Sequence, residues 1–188
     1  MSGLLKGENE IHSLGLKLYQ LMKEIMGKDE DDKYIDNFLC YMLIRSEWLK
    51  LNDEWRLDHH KYEKPVTKGR DPLRFIPSWI GKIQDREDSS NWHTEIFVNH
   101  LWLKRDRRDK FTQFLFSLSH ELIHHFEYTD SYFEGKPVNY PQDSPEEMIR
   151  KYADPYMRKY PRDRKRFKNI MKQRSFVLKP RPFYLTEE

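Results

Sequence analysis

Residues 117–128 read SLSHELIHHFEY, and the six positions 120–125 within this stretch hold three histidines and one glutamate. Apolar residues around them recur every three or four positions, which is the spacing of an α-helix with one buried face. At about 100° per residue, one broad face carries Phe111, Phe114, Leu115, Leu118, Leu122 and Phe126. The stretch therefore predicts a helix over 111–128 that packs against a core and also carries several titratable groups.

His120 and His124 fall on the side of this helix away from the apolar face. Because they are four residues apart, one imidazole stands a turn above the other, and a rigid helix can offer both to one metal ion. Glu121 lies one step round the helix and can reach a water at such an ion without being a ligand. His125 shares the angle of the apolar face, so we expect a packed or hydrogen-bonded histidine there.

Residues 120–124, HELIH, form the HExxH pattern, and here the sequence resembles the zincin metallopeptidases. The resemblance implies a Zn²⁺ site with His120 and His124 as ligands, and Glu121 as the general base of peptide-bond hydrolysis. The strand-like segment TEIFVN (94–99) before the helix is similar to the zincin order, in which a strand beside the cleft pairs with extended peptide. The implied substrate is a protein or peptide.

Catalytic zinc needs a third protein ligand and an open position, and three carboxylates are candidates. In a metzincin-like pattern the third ligand follows the second histidine by six residues, which is Asp130 here. The glycine that lets the chain turn back in that pattern is replaced by Glu127, and this counts against Asp130. A gluzincin-like pattern takes a glutamate from a later helix, and SPEEMIRKYADPY (144–156) offers Glu146 and Glu147.

A helix is predicted to begin at this second segment. Ser144 and Glu147 have the spacing of a capping box, and Pro145 suits the first helical position. Pro155 disfavours the helical conformation at the preceding residue, so we expect the helix to end or kink at Asp154.

On a continuous helical wheel, Glu146 shares the inward side with Ile149 and Ala153. The segment from Glu146 to Ala153 also resembles the glutamate-bearing segment that follows HExxH in ImmA/IrrE-type peptidases. We therefore predict Glu146 as the third zinc ligand, with Glu147 and Asp130 as alternatives. The resemblance to small zincins, gluzincin-like and of the SprT-like or ImmA-like kind, covers about residues 78–157.

The remaining pattern predicts the other elements of an α+β fold. We expect helices at 9–26 and 33–51, a long loop at 56–73, and strands at 78–84 and 94–99 forming a hairpin. Gly27 is the expected stop of the first helix. The predicted architecture is a small zincin-like core, with a short β-sheet, the HExxH helix and a glutamate-bearing helix, preceded by two N-terminal helices.

The chain has 188 residues, of which 37% are hydrophobic, and this predicts one domain. Within it we distinguish an N-terminal helical part (1–60), a zincin-like core (61–160) and a basic C-terminal tail (161–188). No apolar run reaches the length of a membrane span, and the lone Cys40, expected in the core, excludes an internal disulfide. We expect a cytoplasmic protein without a membrane partner.

The charge of the chain is unevenly distributed. Residues 158–181 contain eleven Lys and Arg against one acid, Asp163, so this segment carries +10 and the rest of the chain −7. A basic tail is typical of chains that contact nucleic acid, and SprT-like peptidases act on DNA-bound proteins. The alternative function is a basic nucleic-acid-binding or virion-type structural protein whose HExxH helix is inert.

Overall fold

The structure is a computed structural model, and it describes residues 6–43, 78–84, 87–100, 103, 109–135 and 143–174. Its elements in chain order are α1 (Lys6–Met26), β1 (Phe38–Leu43), β2 (Ser78–Gln84), β3 (Trp92–Asn99), α2 (Lys110–Glu134), α3 (145–159) and α4 (Asp163–Arg174). The predicted α+β class is confirmed. The predicted loop at 56–73 lies outside the described residues.

The three strands form one mixed sheet in the order β1-β3-β2. β2 and β3 are antiparallel, which confirms the predicted hairpin, whereas β1 runs parallel to β3. In the central strand, Ile96 pairs with Cys40 of β1 on one side and with Ile80 of β2 on the other. Ile96, Phe97 and Val98 are fully buried, so both faces of the central strand are covered.

This strand order corrects the role expected for residues 94–99. They belong to the central strand, whose backbone groups already pair with β1 and β2. A peptide therefore cannot add to this strand. In the described sheet, the edge strands are β1 and β2.

The predicted second helix is wrong over residues 33–43. Residues Phe38–Leu43 form strand β1, and residues 44–51 lie outside the described part of the chain. Phe38, Cys40 and Met42 alternate along β1 and are buried on one face of the sheet, while Tyr41 is buried on the other face against Phe97. Ile35, which the helical pattern places on the apolar face, is 55% exposed. A short apolar run fits either period, and here pairing with β3 decides.

Helices α1 and α2 cover one face of the sheet. Cys40 of β1 meets α1 at Gly15, where an added Cβ would stand 2.6 Å from the cysteine sulfur. Thr94 of β3 meets α2, because its Oγ1 and Nδ1 of His125 form a 2.7 Å hydrogen bond. Cys40 is buried, as the sequence predicts. The close approach of α1 to the sheet thus leaves no room for a side chain at position 15.

Both long helices end as their sequences indicate. Gly27 follows α1 with φ +68°, a left-handed conformation that favours glycine. The Asp109 carboxylate accepts from the backbone N–H of Thr112 at 3.0 Å and caps α2. Gly135 closes α2 with φ +66°. All six residues of the predicted apolar face of α2 are buried.

The capping box that begins α3 is confirmed. Ser144 Oγ accepts from the Glu147 N–H at 3.2 Å, and Glu147 Oε2 accepts from the Ser144 N–H at 3.0 Å. Pro145 occupies the first turn. Glu147 is therefore used to fix the start of the helix.

Of the two outcomes predicted at Asp154, the end of α3 is wrong, although the helix departs from α-helical geometry just before this residue. Residues Ile149–Ala153 form a π-helical turn, in which the Asp154 N–H donates to the carbonyl of Ile149. Proline at 155 has no N–H for the usual bond to Lys151, and the wider turn dispenses with that bond. The helix continues through Asp154–Lys159.

Part of the predicted basic tail is a packed helix. In α4, Phe167 and Ile170 are buried in the core. The buried Asp163 accepts hydrogen bonds from Lys17 at 3.0 Å and from the Tyr156 hydroxyl at 2.6 Å. Residues 175–188 lie outside the described part. None of the helices among the described residues is long and apolar enough to cross a membrane.

Candidate metal-binding site

His120 and His124 stand together on one side of α2. Their ring centroids are 5.0 Å apart and the rings are nearly perpendicular, at 74°. Burial lowers the pKa of His120 below its ordinary value. Burial, reinforced by the neighbouring His120, lowers the pKa of His124 to about 4. Both imidazoles are therefore neutral at pH 7, which is the form that binds a metal ion.

Glu121 lies next to this pair and points to the sheet. Its side chain is buried, and its Oε1 accepts a 2.7 Å hydrogen bond from the hydroxyl of Ser78 in β2. Burial raises the pKa of the Glu121 carboxyl to about 7, and the hydrogen bond from Ser78 opposes that rise. A carboxyl with such a pKa exchanges a proton readily at neutral pH.

The histidine side of α2 lies between β2 and α3. At about 100° per residue, His120 is about 100° from Glu121 in one direction and about 80° from Thr112 in the other. Glu121 contacts β2, and Thr112 Oγ1 contacts the sulfur of Met157 in α3 at 3.8 Å. The two histidines are thus flanked by a sheet edge on one side and a helix on the other.

Glu127 is the next polar residue on the histidine side of the helix. Its Oε2 lies 3.4 Å from Nδ1 of His124, and the two side chains are 20% and 12% exposed. Burial, with a contribution from the nearby Asp130 charge, raises the pKa of Glu127 to about 7. This acidic group belongs to the site by position, although the sequence pattern treats it only as a departure from glycine.

His125 has the structural role that the sequence predicts. It is fully buried among the rings of Tyr19, Phe38 and Trp92. Nδ1 pairs with Thr94, and Nε2 approaches the carbonyl of Ile35 at 3.5 Å. His125 connects α2 to the sheet and to the segment before β1.

Asp130 does not turn back towards the histidines. The chain stays helical to Glu134, so Asp130 lies six residues beyond His124, about 9 Å further along the axis. Its carboxylate faces Lys28 at 3.7 Å and Lys33 at 3.4 Å. These contacts fix the segment after α1 to the end of α2.

Glu146 is exposed in the first turn of α3 instead of facing inward as the continuous wheel predicts. Ala153 is buried and Ile149 is half-buried. The π turn takes about one more residue than an α turn, so the faces before and after it do not align. The assignment of Glu146 as the third zinc ligand stays a prediction.

The described residues do not contain a group of three or more His, Cys, Asp or Glu side chains arranged to hold a metal ion. The donor chemistry of His120 and His124 nevertheless fits Zn²⁺, because both are neutral imidazoles on adjacent turns. Two Zn–N bonds of about 2.1 Å bring their nitrogens within about 4 Å of each other, and rings with centroids 5.0 Å apart are compatible with this.

Two residues of the site were not found from the sequence. Ser78 has no local signal, since only the packing of β2 on α2 brings it to Glu121. Glu127 has one, because positions i and i+3 on a helix are neighbours. Comparison of the chain with family models, with curated proteins and with solved structures found no match.

Proposed function

We propose that this protein is a zinc-dependent metallopeptidase of the small, gluzincin-like zincin kind. The observation that supports it most is the joint placement of His120, Glu121 and His124. Two neutral imidazoles share one side of α2, and a buried carboxyl of raised pKa adjoins them. Structural polar groups on a packed helix would not need this combination.

The residues that would hold Zn²⁺ are His120, His124 and a third carboxylate, for which Glu146 is the prediction. When bound, the ion acts as a Lewis acid that acidifies water and polarises the carbonyl of the scissile peptide bond. Burial of the imidazoles keeps them unprotonated, so they do not need to lose protons at neutral pH before binding.

Glu121 is the general base of the proposed reaction. Its carboxylate takes a proton from the attacking water and later delivers that proton to the leaving amine. In the metal-free chain burial raises the pKa of this carboxyl to about 7, and a raised pKa favours both accepting the proton and holding it until it is returned. Ser78 holds the carboxylate at a fixed position.

The decisive experiment combines metal content with activity in Glu121→Gln. The purified full chain should contain about one Zn²⁺ and hydrolyse an unstructured protein substrate. Glu121→Gln should keep the zinc and the fold but lose hydrolysis, because the amide cannot accept the proton. Undiminished hydrolysis in this variant, or a wild-type protein that binds no zinc, would contradict the proposal.

The rival function rests on the outer side of α4. Lys165, Lys168 and Lys172 are exposed there, and the buried Phe167 and Ile170 lie opposite them. Such a stripe fits phosphate contacts of a nucleic acid. Salt-dependent DNA retention that Lys165→Glu, Lys168→Glu and Lys172→Glu together abolish, in a protein free of zinc, would favour the binding function. If a zinc-containing, active peptidase also retains DNA, the lysine stripe would be a DNA-binding surface of the enzyme and would not favour the rival function.

The proposal includes a cytoplasmic setting. Cys40 is a free, buried thiol, and burial raises its pKa above the ordinary value. As the lone cysteine of the sequence it has no partner for a disulfide within the chain, which fits a reducing compartment.

A further inference from the structure

Glu127 and His124 form a specific pair on one side of α2. Glu127 follows His124 by three residues, and its Oε2 lies 3.4 Å from Nδ1 of the imidazole. Long helical side chains lean towards the helix N-terminus, so Glu127 extends back over His124. At this distance the contact is an approach that a small rotation of either side chain converts into a hydrogen bond.

The carboxylate of Glu127 needs such a partner. Its Oε2 is buried, and within the described residues it accepts no hydrogen bond. A buried carboxylate oxygen without a donor is unfavourable. The neighbouring Asp130 is placed differently, because it is engaged with Lys28 and Lys33 beyond the histidines.

A neutral imidazole carries one N–H and one lone pair, on different nitrogens. If the N–H is on Nδ1 of His124 and donates to Glu127, the lone pair is on Nε2. A carboxylate behind a metal-binding histidine fixes the tautomer and the ring orientation, and it makes the other nitrogen more basic. His124 has the required carboxylate one turn further along its own helix.

We propose that Glu127 is a positioning residue for the metal site, whose carboxylate accepts the Nδ1–H of His124 and directs Nε2 to the ion. This inference rests on the proposed function, since it assumes that His124 is a metal ligand. Glu127 stands where the metzincin-like pattern has glycine, and in this proposal its carboxylate orients His124.

The test measures Zn²⁺ affinity by competition with a chromophoric chelator, on the full chain. Glu127→Ala should lower the affinity about 10–100-fold, the usual effect of removing the carboxylate behind a histidine ligand. Glu127→Gln should retain more affinity than Glu127→Ala, because its amide oxygen can still accept the Nδ1–H. The matched control is Glu134→Gln, which removes a carboxylate charge from the end of the same helix, where it pairs with Lys33, and should leave the affinity unchanged.

Two spectroscopic readouts separate positioning from a merely structural role. The ¹⁵N shifts of the His124 ring in the zinc-free wild type should report a proton on Nδ1, and Glu127→Ala should lose that tautomer preference. The absorption bands of the Co²⁺-substituted protein should keep their positions in both Glu127 variants, because the ligands are unchanged. Circular dichroism should confirm that each variant is folded.

The outcomes distinguish this inference from the proposed function. Zinc binding by the wild type with unchanged affinity in Glu127→Ala overturns the positioning role and leaves the peptidase proposal standing. Shifted Co²⁺ bands in Glu127→Gln overturn it too, because Glu127 would then be a ligand. A wild-type protein without zinc affinity overturns the proposed function and this inference with it, whatever the tautomer of His124.

Discussion

The hydroxyl of Ser78 donates a 2.7 Å hydrogen bond to the carboxylate of Glu121, across 43 positions of the chain. This bond joins β2, an edge strand, to α2, and both side chains are buried. Burial favours the protonated form of Glu121, whereas the Ser78 hydroxyl stabilises the carboxylate. Ser78 therefore offsets part of the effect of burial and increases the ionised fraction of the proposed base at neutral pH.

Ser78→Ala should move the acid limb of the kcat/KM profile to higher pH. The substitution removes the hydrogen bond that lowers the pKa of Glu121, so a more alkaline solution is needed to ionise the base. The measurement is the pH dependence of peptide hydrolysis by the zinc-loaded enzyme. Ser119→Ala is the control, because that buried serine donates to the carbonyl of Phe116 and not to Glu121. An unshifted limb in Ser78→Ala would argue against Glu121 as the titrating group.

In the zinc-free protein, the raised pKa of Glu121 should make the free energy of unfolding depend on pH. The folded-state pKa of Glu121 is raised to about 7 from an ordinary 4.5, so between these values the folded chain holds a proton that the unfolded chain has released. Its contribution to stability is therefore present at low pH and is lost as the pH rises to about 7. Glu121→Gln cannot ionise and avoids this loss.

Relative to wild type, Glu121→Gln should thus gain up to about 3 kcal/mol in the free energy of unfolding between pH 4.5 and 7.5. Urea unfolding in the presence of a chelator measures the difference. Burial lowers the pKa values of His124 and His125 to about 4, so their contribution to the free energy of unfolding falls as the pH falls. This effect is common to wild type and Glu121→Gln and cancels in the difference. Glu30→Gln, at an exposed glutamate, is the control. A difference independent of pH would contradict a raised pKa at Glu121.

Gly15→Ala should destabilise the fold although alanine is the better helix former. The new Cβ would lie 2.6 Å from the sulfur of Cys40, which is buried in β1 and has little room to move. Overpacking of this kind costs about 1–3 kcal/mol, and the gain in helix propensity returns roughly 1 kcal/mol. In a Cys40→Ala background, Gly15→Ala should become neutral or stabilising, because the sulfur is gone. A double-mutant cycle by chemical denaturation measures the coupling, and additive effects would exclude the close contact.

The helix α2 was predictable because its signals are local. The apolar spacing, the histidines four apart and the core angle of His125 all follow from the helical period, and the structure confirms the buried face. Strand β1 was not predictable in the same way. Its run FLCYML satisfies a helical and a strand pattern, and pairing of Phe38 with the distant Thr94 decides between them.

The residues of the candidate site likewise fall into those that local spacing predicts and those that only tertiary packing brings together. Residues 120, 121 and 124 share one helix, so their mutual placement follows from their spacing. Ser78 enters through the packing of a strand on a helix, which no spacing reveals. The face of Glu146 was mispredicted because a π turn at Ile149–Ala153 changes the helical register between the first turn and the buried face.

Zinc affinity should identify the third ligand, because variants of the three candidate carboxylates are expected to differ in it. If Glu146 binds zinc, Glu146→Ala should lose most of the zinc affinity, because one of three protein donors and its negative charge are removed. Glu146 lies in the first turn of α3, three residues before the π turn begins, and its side chain is exposed. Titration with zinc in a competing chelator measures the loss.

Glu147→Ala and Asp130→Ala are the matched controls, each with a different expected cost. Glu147→Ala removes the side chain that accepts from the Ser144 N–H, so it should cost about 1 kcal/mol in the free energy of unfolding and leave zinc affinity unchanged. Asp130→Ala removes the ion pairs to Lys28 and Lys33, and it should also keep zinc, because α2 stays helical past this position. Full affinity without Glu146, combined with loss in either control, would transfer the ligand role to that residue. If the residue is Asp130, the gluzincin-like proposal fails as well, since the third ligand would then come from the HExxH helix itself.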